Sequence, residues 1–405
     1  MSNHLEEAEP LLEAVWNQRA SLAKNAAPHS ADSYAIGRAT GPDCLQAVGS
    51  EVGNLPWTMH NLWLHYRSGM DDALLRERIF PLMKGSFRYL RHILVARPDG
   101  TLALPKTASP EYIDAVESSS YTLACVRWLA AALILADARL KAGDAVVPEC
   151  REVLERLEPY PVDPATGIMV GKDTPFTKSH RHWSHLFMIY PFYEYTWDQP
   201  ARAPLMERSL KNWTDKPGAF AGYSWLGAAS MHAAAGHGDD ALEFLHSFLK
   251  KSPLPNTLYR EGSPVIETPL AFARVVQEML LTSHGDLIRI FPGVPGGWGE
   301  AAFADLRAEG AFLVGARREK GETRWVSVTS LAGEPCRIRT GLNGPVKALA
   351  KQPVAVRDAG PGVVEIALAR GASALLYSGE APPVETKPVP WAGEPNPWGG
   401  QKPAK

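Results

Sequence analysis

His180, Arg181, His182 and His185 stand close together in the run Lys178 to Pro191, next to Trp183 and Phe187. Imidazole and guanidinium groups donate hydrogen bonds in defined directions and aromatic rings offer apolar faces, so such a cluster can hold a small polyhydroxylated ligand. Two further segments supply acids. Ser109-Pro110-Glu111-Tyr112 and Pro264-Val265-Ile266-Glu267-Thr268-Pro269 each place a carboxylate in a loop beside a long amphipathic helical pattern. Two carboxylates together with imidazoles and tryptophans suit proton transfer at a sugar.

Each of these residues also has a plainer reading. Glu111 follows Pro110, whose rigid backbone could aim the carboxyl into a cavity; desolvation there would raise its pKa and let it give a proton to a glycosidic oxygen near neutral pH. A solvated carboxylate capping the next turn fits the same local sequence. Glu267 has apolar residues before it and a helical pattern after it. It could face the same cavity from a helix N-terminus, or simply stabilise that helix's first turn. His180, His182 and His185 form a His-x-His-x-x-His pattern with three possible metal nitrogens, but no His-Glu-x-x-His or similar motif accompanies it. Hydrogen bonding to sugar hydroxyls or ordinary packing is the preferred reading, and no metal and no organic cofactor is expected. Trp57, Trp63 and Trp183 could stack on a sugar face, although aromatic residues at helical spacing more often form core. There is no Gly-x-Ser-x-Gly elbow, Walker loop or Gly-x-Gly-x-x-Gly fingerprint, which argues against an α/β-hydrolase, a nucleotide-dependent enzyme and a Rossmann oxidoreductase.

The elements that must position these groups are mostly helices. From Leu5 to about His284 apolar residues recur at helical spacing, as in Leu62-Trp63-Tyr66, Ile79-Leu82-Met83-Phe87-Leu90 and Leu123-Val126-Leu129-Leu133. Further helices are expected at Val147–Leu157, Trp183–Thr196, Leu205–Asn212, Tyr223–Ala235, Asp239–Leu249 and Leu270–Ser283, joined by Gly, Pro and Asp clusters. After Pro292-Gly293-Val294-Pro295-Gly296-Gly297 the pattern changes to short alternating runs, among them 311–316, 324–328, 336–339 and 363–368, which read as a small antiparallel β-domain. The Pro-rich end has little to bury and reads as a tail. The expected organisation is a helical domain over 1–298, a β-domain over 299–380 and a tail over 381–405.

Composition narrows the partner. A chain of 405 residues has room for one large domain and a smaller one. With 42 basic and 44 acidic residues the charge is nearly balanced, so neither nucleic acid nor a membrane surface is an expected partner. Cys44, Cys125, Cys150 and Cys336 are far apart in sequence and read as buried thiols rather than a disulfide framework. The first ten residues lack the basic and apolar regions of a signal peptide, so the chain as written reads as cytoplasmic, or as secreted or periplasmic if its true start lies upstream.

Taken together, the segments resemble glycoside hydrolase family 95, the inverting 1,2-α-L-fucosidases and related α-L-galactosidases. The stretches that carry the resemblance are 57–66 (Trp-Thr-Met-His-Asn-Leu-Trp-Leu-His-Tyr), Ser109-Pro110-Glu111, 180–186 (His-Arg-His-Trp-Ser-His-Leu), and 278–284 (Glu-Met-Leu-Leu-Thr-Ser-His) with 291–295 (Phe-Pro-Gly-Val-Pro). They lie in the family's order.

The resemblance implies a mainly α protein, an (α/α)6-type barrel of helical hairpins followed by the β-domain. It implies that Glu111 is the general acid, and that Glu267 stands where the family has an Asp as second active-site carboxylate. The longer side chain moves that carboxyl by about one bond, and a displacement of ~1 Å can cost ~100-fold in rate. Arg181, His182 and His185 would hold sugar hydroxyls, with Trp57 as a stacking wall. The implied partner is an oligosaccharide or glycoside.

In the family, a segment with two water-activating asparagines precedes the helix resembling His4–Trp16, and a β-sandwich precedes that segment. The expectation here is a barrel incomplete on its N-terminal side. Inverting O-glycosyl hydrolysis is expected if that segment is dispensable. A non-catalytic carbohydrate-binding remnant of the barrel is the first alternative, and a polysaccharide lyase or retaining hydrolase the second.

Overall fold

The computed structural model describes residues 3–27, 32–112, 114–254 and 266–382. The residues 264–265 ahead of Glu267, and the expected tail from 383 onward, lie outside the described residues. The chain divides into two compact units. One comprises His4–Tyr66 and Asp71–Gly218, and the other Met1–Asn3, Arg67–Met70 and Ala219–Lys405.

The first unit is built mainly from helices α1 (Glu9–Asn17), α2 (Arg19–Ala26), α3 (Asn54–Gly69), α4 (Asp72–Leu74), α5 (Phe80–Ile93), α6 (Ser120–Leu140), α7 (Val146–Arg156) and α8 (Ala203–Thr214). Short strand pairs β1 (Val95–Ala96) with β2 (Leu102–Ala103), and β3 (Val162–Asp163) with β4 (Gly167–Ile168), edge the loops between them. Asp71 starts α4 by accepting the backbone N–H groups of Ala73 and Leu74, and a π-helical turn, Leu75–Ile79, carries the chain into α5. α6 is apolar around most of its circumference, with Leu123, Val126, Leu129, Ala130 and Leu133 all buried. A helix of that kind is stable only at the centre of a packed unit, and α5 and α7 pack against it.

The second unit holds α9 (Gly222–Ala235), α10 (Gly238–Lys251), α11 (Glu267–Leu280) and two five-stranded sheets. One sheet is formed by β5 (Leu281–His284), β6 (Leu287–Ile290), β10 (Pro335–Arg339), β12 (Val356–Asp358) and β13 (Val363–Ala367). The other is formed by β7 (Ala301–Ala308), β8 (Phe312–Glu319), β9 (Glu322–Ser330), β11 (Lys347–Ala350) and β14 (Ser373–Tyr377). Ile288, Ile338 and Ile366 from the first sheet share one core with Phe303, Val314, Val326, Val328 and Leu376 from the second. Trp225, Leu226, Leu245, Phe248, Val275 and Met279 form a separate core among α9, α10 and α11.

The class is therefore mixed helix and sheet rather than mainly α. Three local expectations also change. The run 183–196 is not a helix: it forms a 3-10 turn, Ser184–Leu186, followed by turns. Pro191 has no N–H to donate to a helical ladder and pushes Tyr190 away from helical angles, which outweighs the apolar spacing. The β-region begins at Leu281 rather than after the Gly-Pro cluster. Gly285 and Asp286 both have positive φ (62° and 57°) and turn β5 back on β6 as a two-residue hairpin. Nor is the β-region wholly antiparallel, because β6 and β10 pair in parallel.

Candidate active site

The site begins with a tight turn in the first unit, between β2 and α6. The Tyr112 N–H donates to the Ser109 carbonyl (3.0 Å), and Glu111 sits in the left-handed region at φ 59°. A non-glycine residue is unfavourable there and persists only where its surroundings fix it. Several contacts do so. The Glu111 N–H donates to Glu51 Oε1 (3.0 Å), Ser109 Oγ and Ser184 Oγ share a buried hydrogen bond (2.6 Å), and the Tyr112 ring stacks on His180 with centroids 3.9 Å apart. Glu51 is itself placed by a close approach: a Cβ on Gly53 would come within 2.5 Å of the Tyr121 ring, so only glycine fits two residues after Glu51.

The carboxylate of Glu111 faces three basic side chains. Arg181 donates to Oε2 through Nε (2.6 Å) and through a second guanidinium nitrogen, His182 Nε2 lies 2.8 Å from the same oxygen, and Arg38 pairs with Oε1. Arg38 also reaches Glu51 (3.6 Å). The His182 N–H donates to Nδ1 of His180 (3.1 Å), so the proton of a neutral His180 belongs on Nε2, which points at the Glu111 carbonyl (3.3 Å).

The electrostatics reverse one expectation. Partial burial by itself raises the Glu111 carboxyl, as the sequence reading supposed. The hydrogen bonds and charge of Arg181 and His182 outweigh it, and the group is held at about 2. Glu111 is thus a carboxylate at neutral pH. Burial lowers both His180 and His182, while contact with Glu111 pulls each partly back.

Glu111, Arg181 and His182 are therefore brought together, and His180 joins them through the backbone. His185 is buried (1 % exposed) and lies parallel to the Phe176 ring with centroids 4.6 Å apart. Neither of its ring nitrogens has a hydrogen-bond partner among the described residues, and burial lowers it to about 3. Trp57 is half-buried in α3 and meets Phe187 edge-on (4.8 Å) and Tyr121 (6.4 Å), within an aromatic cluster. Glu267 belongs to the second unit, where it is the first residue of α11 and exposed. Sequence reasoning missed Arg38 and Glu51. The faint signal was an acid framed by glycines, Gly49-Ser50-Glu51-Val52-Gly53, while Arg38 lies in a segment without periodicity.

A carboxylate framed by guanidinium and imidazole donors, with the Tyr112 ring beside it, is suited to a protein that handles polyhydroxylated ligands. Comparison with known proteins narrows the class. The model of the glycosyl hydrolase family 95 catalytic domain matches residues 17–280, and the chain belongs to that family. It is similar to alpha-L-fucosidase 2 of Arabidopsis thaliana, with 25% identity over 309 residues, which is 70% of this chain but only 36% of that protein. Among solved structures, one described as a kojibiose phosphorylase from human microbiome superposes with a TM-score of 0.57 at 11% identity, covering 82% of this chain and 55% of that one. That likeness concerns the fold.

Proposed function

We propose that this chain serves the hydrolysis of an α-linked terminal sugar, of the α-L-fucoside or α-L-galactoside type, with inversion at the anomeric carbon. Membership of family 95 supports the reaction class. The observation that carries the reading is that the Glu of Ser109-Pro110-Glu111, where the family resemblance expects the general acid, is the carboxylate on which Arg38, Arg181 and His182 converge. The (α/α)6-type barrel is the architecture that goes with this reading.

In the proposed reaction Glu111 gives its proton to the leaving glycosidic oxygen as that C–O bond breaks, while water attacks the anomeric carbon from the opposite face and sheds its own proton to solvent. Glu111 must then be neutral in the substrate complex, although it is ionised beforehand. Sugar hydroxyls can accept the hydrogen bonds now donated by Arg181 and His182, and the sugar ring displaces water from the carboxyl. Both changes raise its pKa toward that of a working acid. No metal or organic cofactor enters this scheme.

The test is sugar release from an aryl α-L-fucoside and an aryl α-L-galactoside, with Glu111→Gln and Glu267→Gln as separate variants and the product anomer read by proton NMR. Release that vanishes in Glu111→Gln, with an inverted product, is the expected result. Release that persists in Glu111→Gln, or a retained anomer, rejects the assignment. One observation favours a second reading: a carboxylate held near 2 is better suited to accepting sugar hydroxyls than to giving a proton. Saturable fucose binding without turnover, weakened in Arg181→Gln, would select that carbohydrate-binding alternative.

A further inference from the structure

Far along the chain from Glu111, the second unit gathers a different set of donors. α9 ends at Gly236 (φ 82°), where the Gly236 N–H donates to the Ala233 carbonyl and the His237 N–H to the His232 carbonyl (2.9 Å). This closing turn leads directly into α10 and leaves His232 on the last turn of one helix, His237 in the connection and Asp240 in the first turn of the next. The connection cannot be rebuilt freely, because a Cβ on Gly238 would fall 2.3 Å from the Val294 carbonyl oxygen.

One ligand atom from each of His232, His237 and Asp240 lies within 4.8 Å of the others, and His232 Nδ1 is 3.6 Å from Asp240 Oδ2, too long for a hydrogen bond. His232 is the telling member. Its side chain is only 13% exposed, its ring lies against Phe244 with centroids 5.1 Å apart, and neither ring nitrogen has a hydrogen-bond partner among the described residues. A buried imidazole left unbonded costs free energy that a partner would recover. Asp240 is more than half exposed, which gives an ion a way in.

We infer that His232, His237 and Asp240 form a binding site for a divalent transition-metal ion of the zinc type. Two imidazoles and a carboxylate suit zinc and its neighbours, whereas calcium and magnesium prefer all-oxygen sites. Ligand atoms around tetrahedral zinc stand ~3.4 Å apart at Zn–N and Zn–O lengths of about 2.0–2.2 Å, so small side-chain rotations bring the three into range. The remaining coordination position falls to water. The inference does not depend on the sugar chemistry proposed for Glu111.

The test is equilibrium dialysis of the full chain against zinc chloride alone at pH 7, with cobalt(II) absorption as a report on geometry. One zinc per chain is expected, with cobalt bands of a tetrahedral centre. His237→Ala and Asp240→Asn leave the ring contact of His232 with Phe244 in place. Each should weaken zinc binding by roughly 10–100-fold, at least the cost of losing an outer partner of a metal ligand. His182→Asn is the control and should bind as the parent does. The inference is overturned if the parent binds no zinc, if His237→Ala and Asp240→Asn both bind it unchanged, or if His182→Asn is the variant that loses it.

Discussion

Glu111 shows how one carboxylate can be held away from the chemistry its position suggests. Its turn geometry is unfavourable, its backbone N–H is taken by Glu51, and its side chain is balanced between burial, which favours the neutral acid, and three basic groups, which favour the anion. The basic groups win because two of them donate directly to Oε2. Removing one should tip the balance. In Arg181→Gln the Glu111 carboxyl should titrate higher by roughly 1–3 pH units, the usual effect of an adjacent opposite charge. Carbon-13 NMR of the side-chain carboxyl reads this directly, and an unchanged titration would mean that Arg181 is not the controlling partner.

At the scale of elements, the loop around Glu111 and the 3-10 turn Ser184–Leu186 are tied by the buried Ser109–Ser184 hydrogen bond. Ser184→Ala leaves the buried Ser109 hydroxyl without that partner and should cost about 1–3 kcal/mol in urea unfolding. The same change loosens the turn that holds Glu111, so ligand affinity should fall with stability. α6 carries the unit behind it. Leu129 is fully buried at its centre, and Leu129→Ala should cost about 2–5 kcal/mol, seen as a lower denaturation midpoint. A much smaller loss would show that the neighbouring helices collapse into the space.

For the whole molecule, the net charge of −2 conceals two carboxyls that pull stability in opposite directions with pH. Glu111 is depressed from 4.5 to about 2, so its contribution is present above 4.5 and is lost as pH falls toward 2. Glu309 is the reverse case. Burial raises it to about 7, with Arg67 opposing, beside a cavity of about 340 Å³ also lined by Asp286 and Arg337. The native state keeps that proton while the unfolded chain releases it near 4.5, so stability from this group is full below 4.5 and is lost as pH rises to about 7. Glu309→Gln should flatten the decline between pH 5 and 7, and Glu111→Gln should flatten the fall below 4.5. Urea midpoints measured across pH 3–8 check both, and parallel curves for parent and variants would refute them.

The sequence by itself determined most of the helices, because apolar residues at 3.6 spacing must share one face, and most of the later strands, because alternation and glycine turns leave few other structures. Short motifs that resemble a family singled out Glu111, Arg181 and His182, and the fold brings these three side chains into contact. The sequence could not reveal Arg38 and Glu51, which lie 73 and 60 residues from Glu111 in the chain and meet it only in the folded structure. It misread 183–196, where a helical pattern is overruled by Pro191 and by the demand for a turn next to Glu111. Above all, the ionisation of Glu111 was decided only by tertiary structure. Burial and charge act through space with opposite signs, and which one prevails depends on distances of a few ångströms that no local spacing encodes.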